Sequence, residues 1–114
     1  MKLITAIIRE EKLESVREAL INAGIERITV NRVSGHGQQT SEELYRGQKV
    51  IPNLINKVRI DIAVNDEFTK VTCDTIIKSA KTANGGKIGD GKILITPLEE
   101  CIRIRTEETG NVAI

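Results

Sequence analysis

The chain has 114 residues, and its 17 basic and 16 acidic side chains give a net charge of +1. That length suits one modest core and leaves little room for a second domain or a deep catalytic cleft. With one Tyr, one Phe, no Trp and no long basic run, it lacks the basic stripe and stacking rings of nucleic-acid modules. A single His gives neither metal-ligand spacing nor a nucleophilic hydrolase, and Cys73 and Cys101, far apart, are expected to stay reduced. The opening run Met1–Ile8 turns charged at Arg9, too soon for a signal peptide or a membrane span, so a cytoplasmic protein without direct membrane insertion is expected.

Leu3–Ile8 is short and β-branched and reads as a buried strand. A helix is expected from Glu11 to about Ala23, with Leu13, Val16 and Leu20 on one face and Ala19 and Ala23 beside them; Gly24 then stops it. A second strand is expected over about Ile25–Ser34. The stretch Gly35–Asn56 is polar, contains three glycines and carries only a weak apolar pattern. Segments of that length and composition are uncommon in compact domains and mark function or disorder. Strict alternation resumes at Lys57: Val58, Ile60, Ile62 and Val64 face one side, and Lys57, Arg59, Asp61 and Ala63 the other. Asp66 is a candidate N-cap for a helix over about Glu67–Lys81, whose apolar stripe is expected at Cys73, Ile76, Ile77 and Ala80. A Gly-rich turn over Asn84–Gly91 leads to strands at Lys92–Thr96 and Cys101–Arg105, separated by Pro97. The residues after Thr106 read as a polar, mobile tail. Two strand-helix-strand units in this order predict an α+β, ferredoxin-like βαββαβ fold with both helices on one face of an antiparallel sheet, in a single domain over residues 1–114.

Gly86-Lys87-Ile88-Gly89-Asp90-Gly91-Lys92 satisfies the GxxxxGK part of a phosphate-binding loop. It fails as a P-loop because Ile93 stands where Ser or Thr would hold magnesium, and because a strand follows where a helix should. Its glycines and lysine still suit an anion, although a plain turn between a helix and a strand is the favoured reading of this segment by itself. In Cys101-Ile102-Arg103-Ile104-Arg105 a period of two puts both guanidiniums on one face and both isoleucines toward a core. Guanidinium geometry suits phosphate; exposed arginines on an edge strand are the alternative. His36 reads as a loop residue between Gly35 and Gly37. The residues describe a binding module and not a catalyst.

Glu43–Gly47 (ELYRG), Lys87–Lys92 (KIGDGK), Ile102–Thr106 (IRIRT), Leu13–Leu20 and Asp74–Ile77 together resemble the signature segments of the PII nitrogen-regulatory signal-transduction family, from Met1 to about Thr106. The resemblance implies a homotrimer with nucleotide sites in the clefts between subunits, where ATP and ADP compete and Mg2+ and 2-oxoglutarate join ATP. It implies nucleotide contacts from Thr29, Gly35, Gly37, Gln39, Gly89, Asp90, Gly91, Lys92, Arg103 and Arg105. Gln39 would ligate Mg2+ beside 2-oxoglutarate, and Lys57 would pair with a carboxylate of that effector. The T-loop, about residues 37–56, would carry Tyr45, Arg46 and Val50 to a target such as an ammonium transporter, glutamine synthetase or nitrogenase. Val50 stands where many bacterial members carry a uridylylated tyrosine, and Gln38 and Thr40 replace the basic residues that usually flank the magnesium glutamine. The turn before Lys87 is also longer than in common bacterial members. A PII-like interaction protein that binds nucleotide and ignores 2-oxoglutarate is the alternative; a small phosphatase on the same fold is a third reading.

Overall fold

A computed structural model of the chain describes residues 1–37, 44–45, 48–49 and 53–114, with only the backbone at 44–45 and 48–49. Strand β1 (Lys2–Ile8) is followed by one 3-10 turn (Glu10–Lys12) and helix α1 (Leu13–Asn22). Strand β2 (Thr29–Gly35) comes next, then a small ladder of β3 (Leu44–Tyr45) and β4 (Gln48–Lys49). Strand β5 (Ile55–Val64), a 3-10 turn (Asp66–Phe68), helix α2 (Thr69–Ala80) and strand β6 (Gly91–Pro97) complete the second unit. The main sheet has the order β2-β5-β1-β6, antiparallel throughout, which is the expected ferredoxin-like arrangement.

The alternation in β5 decides which face is covered. Val58, Ile60, Ile62 and Val64 are buried together with Ile4, Ala6 and Ile8 of β1, Val16 and Leu20 of α1, and Ile76 and Ala80 of α2. Lys57, Arg59, Asp61 and Ala63 lie on the helix-free face, as expected. There Asp61 accepts from the Thr5 hydroxyl at 2.6 Å and from Arg59 Nε at 3.1 Å. Gly24 ends the first helical segment with φ +83°, a conformation that any side chain resists.

Five local expectations need correction. The second strand begins at Thr29 and not Ile25, because Ile25 is drawn into the core as a plug beneath α1. Asp66 caps no helix through its side chain. It instead accepts from the Met1 amine at 2.9 Å and from Lys2 Nζ at 3.1 Å, and those two cations hold its carboxyl below its ordinary range. In α2 the inward position is Thr72, fully buried with its hydroxyl donating to Phe68 O at 2.7 Å, while Ile77 faces outward. A back-bonded threonine packs as a small apolar residue would. Cys101–Arg105 forms no strand: Ile102 makes one isolated bridge to Thr109, and both Ile102 and Ile104 are exposed and do not enter a core. Finally, residues 107–114 lie against the body. A 3-10 turn at Gly110–Ala113 buries Ala113, Asn65 Nδ2 donates to Asn111 O at 3.2 Å, and Arg27 donates to Ile114 O at 2.9 Å.

Candidate functional site

The strand directions divide the molecule into two ends. Ile8, Gly91, Ile55 and Gly35 meet at one end of the sheet; Lys2, Pro97 and Val64 lie at the other, and Thr29 pairs with Asp61 level with mid-strand Thr5. The Gly-rich turn and the mouth of the long loop share the first end. Between them opens a cleft of about 690 Å³, lined by Gly35, Gly37, Lys57, Gly89, Gly91 and Lys92 among the expected residues. Its volume falls in the range that suits a small molecule.

Each lining residue arrives there for a local reason. Gly91 begins β6 beside β1 with φ +112°, and a Cβ placed there would sit 1.7 Å from Ile7 O. Only glycine fits so close to another backbone. The pairing it permits sets Lys92 opposite Ile7, and Ile7 lies opposite Arg59 on its other side. Lys92, Ile7 and Arg59 therefore form a row across the helix-free face, with Lys57 two residues along β5 from Arg59. The cleft thus carries three cations, two isoleucines and glycine amides, a donor set that fits a phosphate-bearing anion. His36 also lines it.

Asp90 turns away from this surface. Its carboxylate accepts from the Thr82 hydroxyl and amide, from the Lys87 amide at 2.9 Å and from Arg9 Nε at 3.0 Å. These donors, the Thr82 hydroxyl foremost, hold its carboxyl far below the usual carboxylate range. Arg9 also donates to Ile88 O at 2.8 Å, so one guanidinium fixes both flanks of Gly89. Lys57 Nζ donates to Gly89 O at 2.6 Å; burial is the main reason its pKa is lowered, with Arg9 adding repulsion.

Thr29, Arg103 and Arg105 are not brought to this cleft within one chain. Thr29 starts β2 opposite Asp61, four residues and about 14 Å along β5 from Lys57 at ~3.4 Å per residue. Arg103 bonds Glu108 at 3.1 Å and Val112 O at 3.1 Å, in the segment that packs beside Asn65. Arg105 is exposed. Gln39, Arg46 and Val50 lie outside the described residues, as does the side chain of Tyr45. Among the described residues no group of His, Cys, Asp and Glu side chains could hold a metal ion, and both cysteines are free.

Sequence reasoning missed Arg9, Thr82 and Arg59 as parts of this end. Arg59 carried a signal, since the period of two puts it on the face of Lys57. Arg9 and Thr82 carried only weak ones: a charge closing an apolar strand, and a hydroxyl just past a helix.

Over residues 1–108 the chain matches the family described as Nitrogen regulatory protein P-II. It is 47% identical over its whole length, and over the whole of the relative, to Nitrogen regulatory protein GlnK of Escherichia coli. It is similarly 46% identical to Nitrogen regulatory protein GlnK1 of Methanosarcina mazei and 49% identical to Nitrogen regulatory protein P-II 2 of Methanothermobacter thermautotrophicus, covering all of this chain and 97% of each relative.

Proposed function

The chain belongs to the nitrogen regulatory P-II family, whose members are signalling proteins and not enzymes, and from that premise we propose that it is a homotrimeric sensor of ATP, ADP and 2-oxoglutarate. One observation carries the reading. The residues expected at the nucleotide are divided within one chain: Gly37, Gly89, Gly91 and Lys92 line the cleft, whereas Thr29 lies on the β2 edge opposite Asp61 and Arg103 is bonded into the C-terminal segment beside Asn65. Neighbouring copies that set the cleft against the next chain's β2 edge and C-terminal segment would complete a site that neither holds alone.

In this reading Lys92 and the amides of Gly37, Gly89 and Gly91 hold phosphates, while Asp90 acts from behind by fixing the turn. Arg103 and Arg105 of the adjacent copy close over the nucleotide, and its Thr29 lies toward the adenosine. Mg2+ neutralises phosphate charge and is held by Gln39 together with oxygens of ATP and 2-oxoglutarate. Lys57 takes a carboxylate of 2-oxoglutarate, and to do so it exchanges the Gly89 carbonyl for the effector. That exchange links the effector to the phosphate turn, which is what differential affinity between two loop states requires. The T-loop, with Tyr45, Arg46 and Val50, then meets or misses an ammonium transporter, glutamine synthetase or nitrogenase. The cytoplasm is the compartment that suits such a sensor; no helix among the described residues is long and apolar enough to cross a membrane.

Calorimetric titration of ATP with Mg2+, with and without 2-oxoglutarate, tests the scheme. Tighter ATP binding in the presence of 2-oxoglutarate, lost in Lys57→Ala, is expected, and the coupling must be reciprocal. ATP binding without coupling favours the alternative suggested by Gln38 and Thr40, a nucleotide-binding interaction protein indifferent to 2-oxoglutarate. Absence of ATP binding sinks both.

A further inference from the structure

Next to the nucleotide cleft, with which it shares Ile7, Gly91 and Lys92, a second depression of about 570 Å³ lies between α2 and the Gly-rich turn. Its walls are apolar: Ile76 and Ala80 form the floor, while Ile77 and Ile88 remain 51% and 63% exposed at the sides. Isolated exposed isoleucines are ordinary, but two flanking one groove form a patch that water covers poorly. Lys81 and Lys87 stand around it and do not line the nucleotide cleft, and neither has an ion-pair partner among the described residues. The stem of Lys81 lies over Gly86, where an added Cβ would come within 3.1 Å of it. The one carboxylate in the lining, Asp90, is already neutralised by Arg9 and turned into the loop by Thr82 and the Lys87 amide. The groove is therefore apolar inside and uncompensated positive at its rim.

We propose that this groove docks a short acidic segment of a partner protein, with aliphatic side chains between Ile77 and Ile88 and carboxylates on Lys81 and Lys87. The charge decides the occupant. An apolar segment alone would leave the Lys81 and Lys87 ammonium groups without counter-charge, and a basic one would be repelled. A free phosphate would satisfy the lysines and leave the isoleucines wet. The groove adjoins the nucleotide cleft, with Ile7, Gly91 and Lys92 lining both, but its proposed contacts at Ile77, Lys81, Lys87 and Ile88 belong to the groove and not to the cleft, and give the molecule a second contact surface fixed on a helix and a turn.

The test uses the full chain and a short fluorescein-labelled peptide of alternating Leu and Glu, with a Leu and Lys peptide as its counterpart. Anisotropy should show saturable binding of the Leu/Glu peptide only. Lys81→Glu with Lys87→Glu should weaken it about tenfold, since two weak attractions become repulsions. The same double variant should bind the Leu/Lys peptide and leave ATP titration unchanged. Ile77→Ser should also weaken the Leu/Glu peptide, with all charges in place. Equal binding by wild type and both variants, or no binding of the Leu/Glu peptide, overturns the proposal. A changed sedimentation coefficient of the double variant alone overturns it in favour of contact between copies. Capture by phosphatidylglycerol vesicles with no peptide binding overturns it in favour of a lipid surface.

Discussion

The two helix-to-strand connections do the same geometric task by different chemistry. After α1 the chain returns to β2 through Gly24 and the buried Ile25, an apolar plug set in the common core. After α2 it returns to β6 through a longer turn with no apolar plug; its centre is the Asp90 carboxylate, held by Thr82, Lys87 and Arg9. An apolar plug needs no particular orientation, whereas a carboxylate with four donors fixes the direction of each peptide around it. The second connection can therefore hold Gly89 and Gly91 in set poses beside the cleft. The first has no such demand on it; the smaller depression beside it, about 310 Å³, is lined by Gly24 and Ile25 with Val64 and Phe68.

The sharpest way to break this contrast is at Gly91. Gly91→Ala forces a Cβ onto Ile7 O and an L side chain into φ +112°, so β6 must part from β1. Urea unfolding should show a loss of at least ~3 kcal/mol, together with loss of any ligand held at the cleft. Ile25→Ala attacks the other connection and should cost about 2–5 kcal/mol by the same measurement, because Ile25 is nearly fully buried in the core. It should leave the cleft's ligand affinity intact once the variant is folded.

A smaller effect follows from pH. The Asp90 pKa is lowered in the folded state, so its contribution is complete above the ordinary aspartate value of about 4 and is lost as pH falls below it. Asp90→Asn should lower the thermal midpoint at pH 7 and flatten its decline below pH 4; an unchanged decline would remove Asp90 from the explanation. The smallest change should come from Glu108→Ala. Its pair with Arg103 is partly exposed and worth only about 0.2–1 kcal/mol, visible as a slight shift of the thermal midpoint.

Much of this was legible in the residues. The alternation over Lys57–Val64 and the helical spacing of Leu13, Val16 and Leu20 announced the two faces of the sheet and the packing of α1, because burial imposes a strict period on both. The Gly-rich turn stood out for its glycines and lysines. What sequence could not show was pairing across long separations: Arg9 meets Asp90 across 81 positions, and no local pattern encodes that contact. Cys101–Arg105 misled for the opposite reason. Ile-Arg alternation is strand-like, but a strand needs a neighbour, and among the described residues that segment finds one isolated bridge, Ile102–Thr109. Ile25 misled because a β-branched residue ahead of a strand serves equally well as a core plug. Ile77 did so because a helix stripe is wider in sequence than the face its neighbours cover.

The Arg9–Asp90 pair also sets a timetable for the newborn chain. β1 emerges first from the ribosome yet lies between β5 and β6, so it waits for strands made much later. At ~5–20 residues per second, Arg9 spends on the order of 4–16 s without the carboxylate that will hold it. Translation halted before Gly91 would yield a chain with both helices and no built cleft. Such high sequence separation also predicts folding on the slow side for a domain of this size.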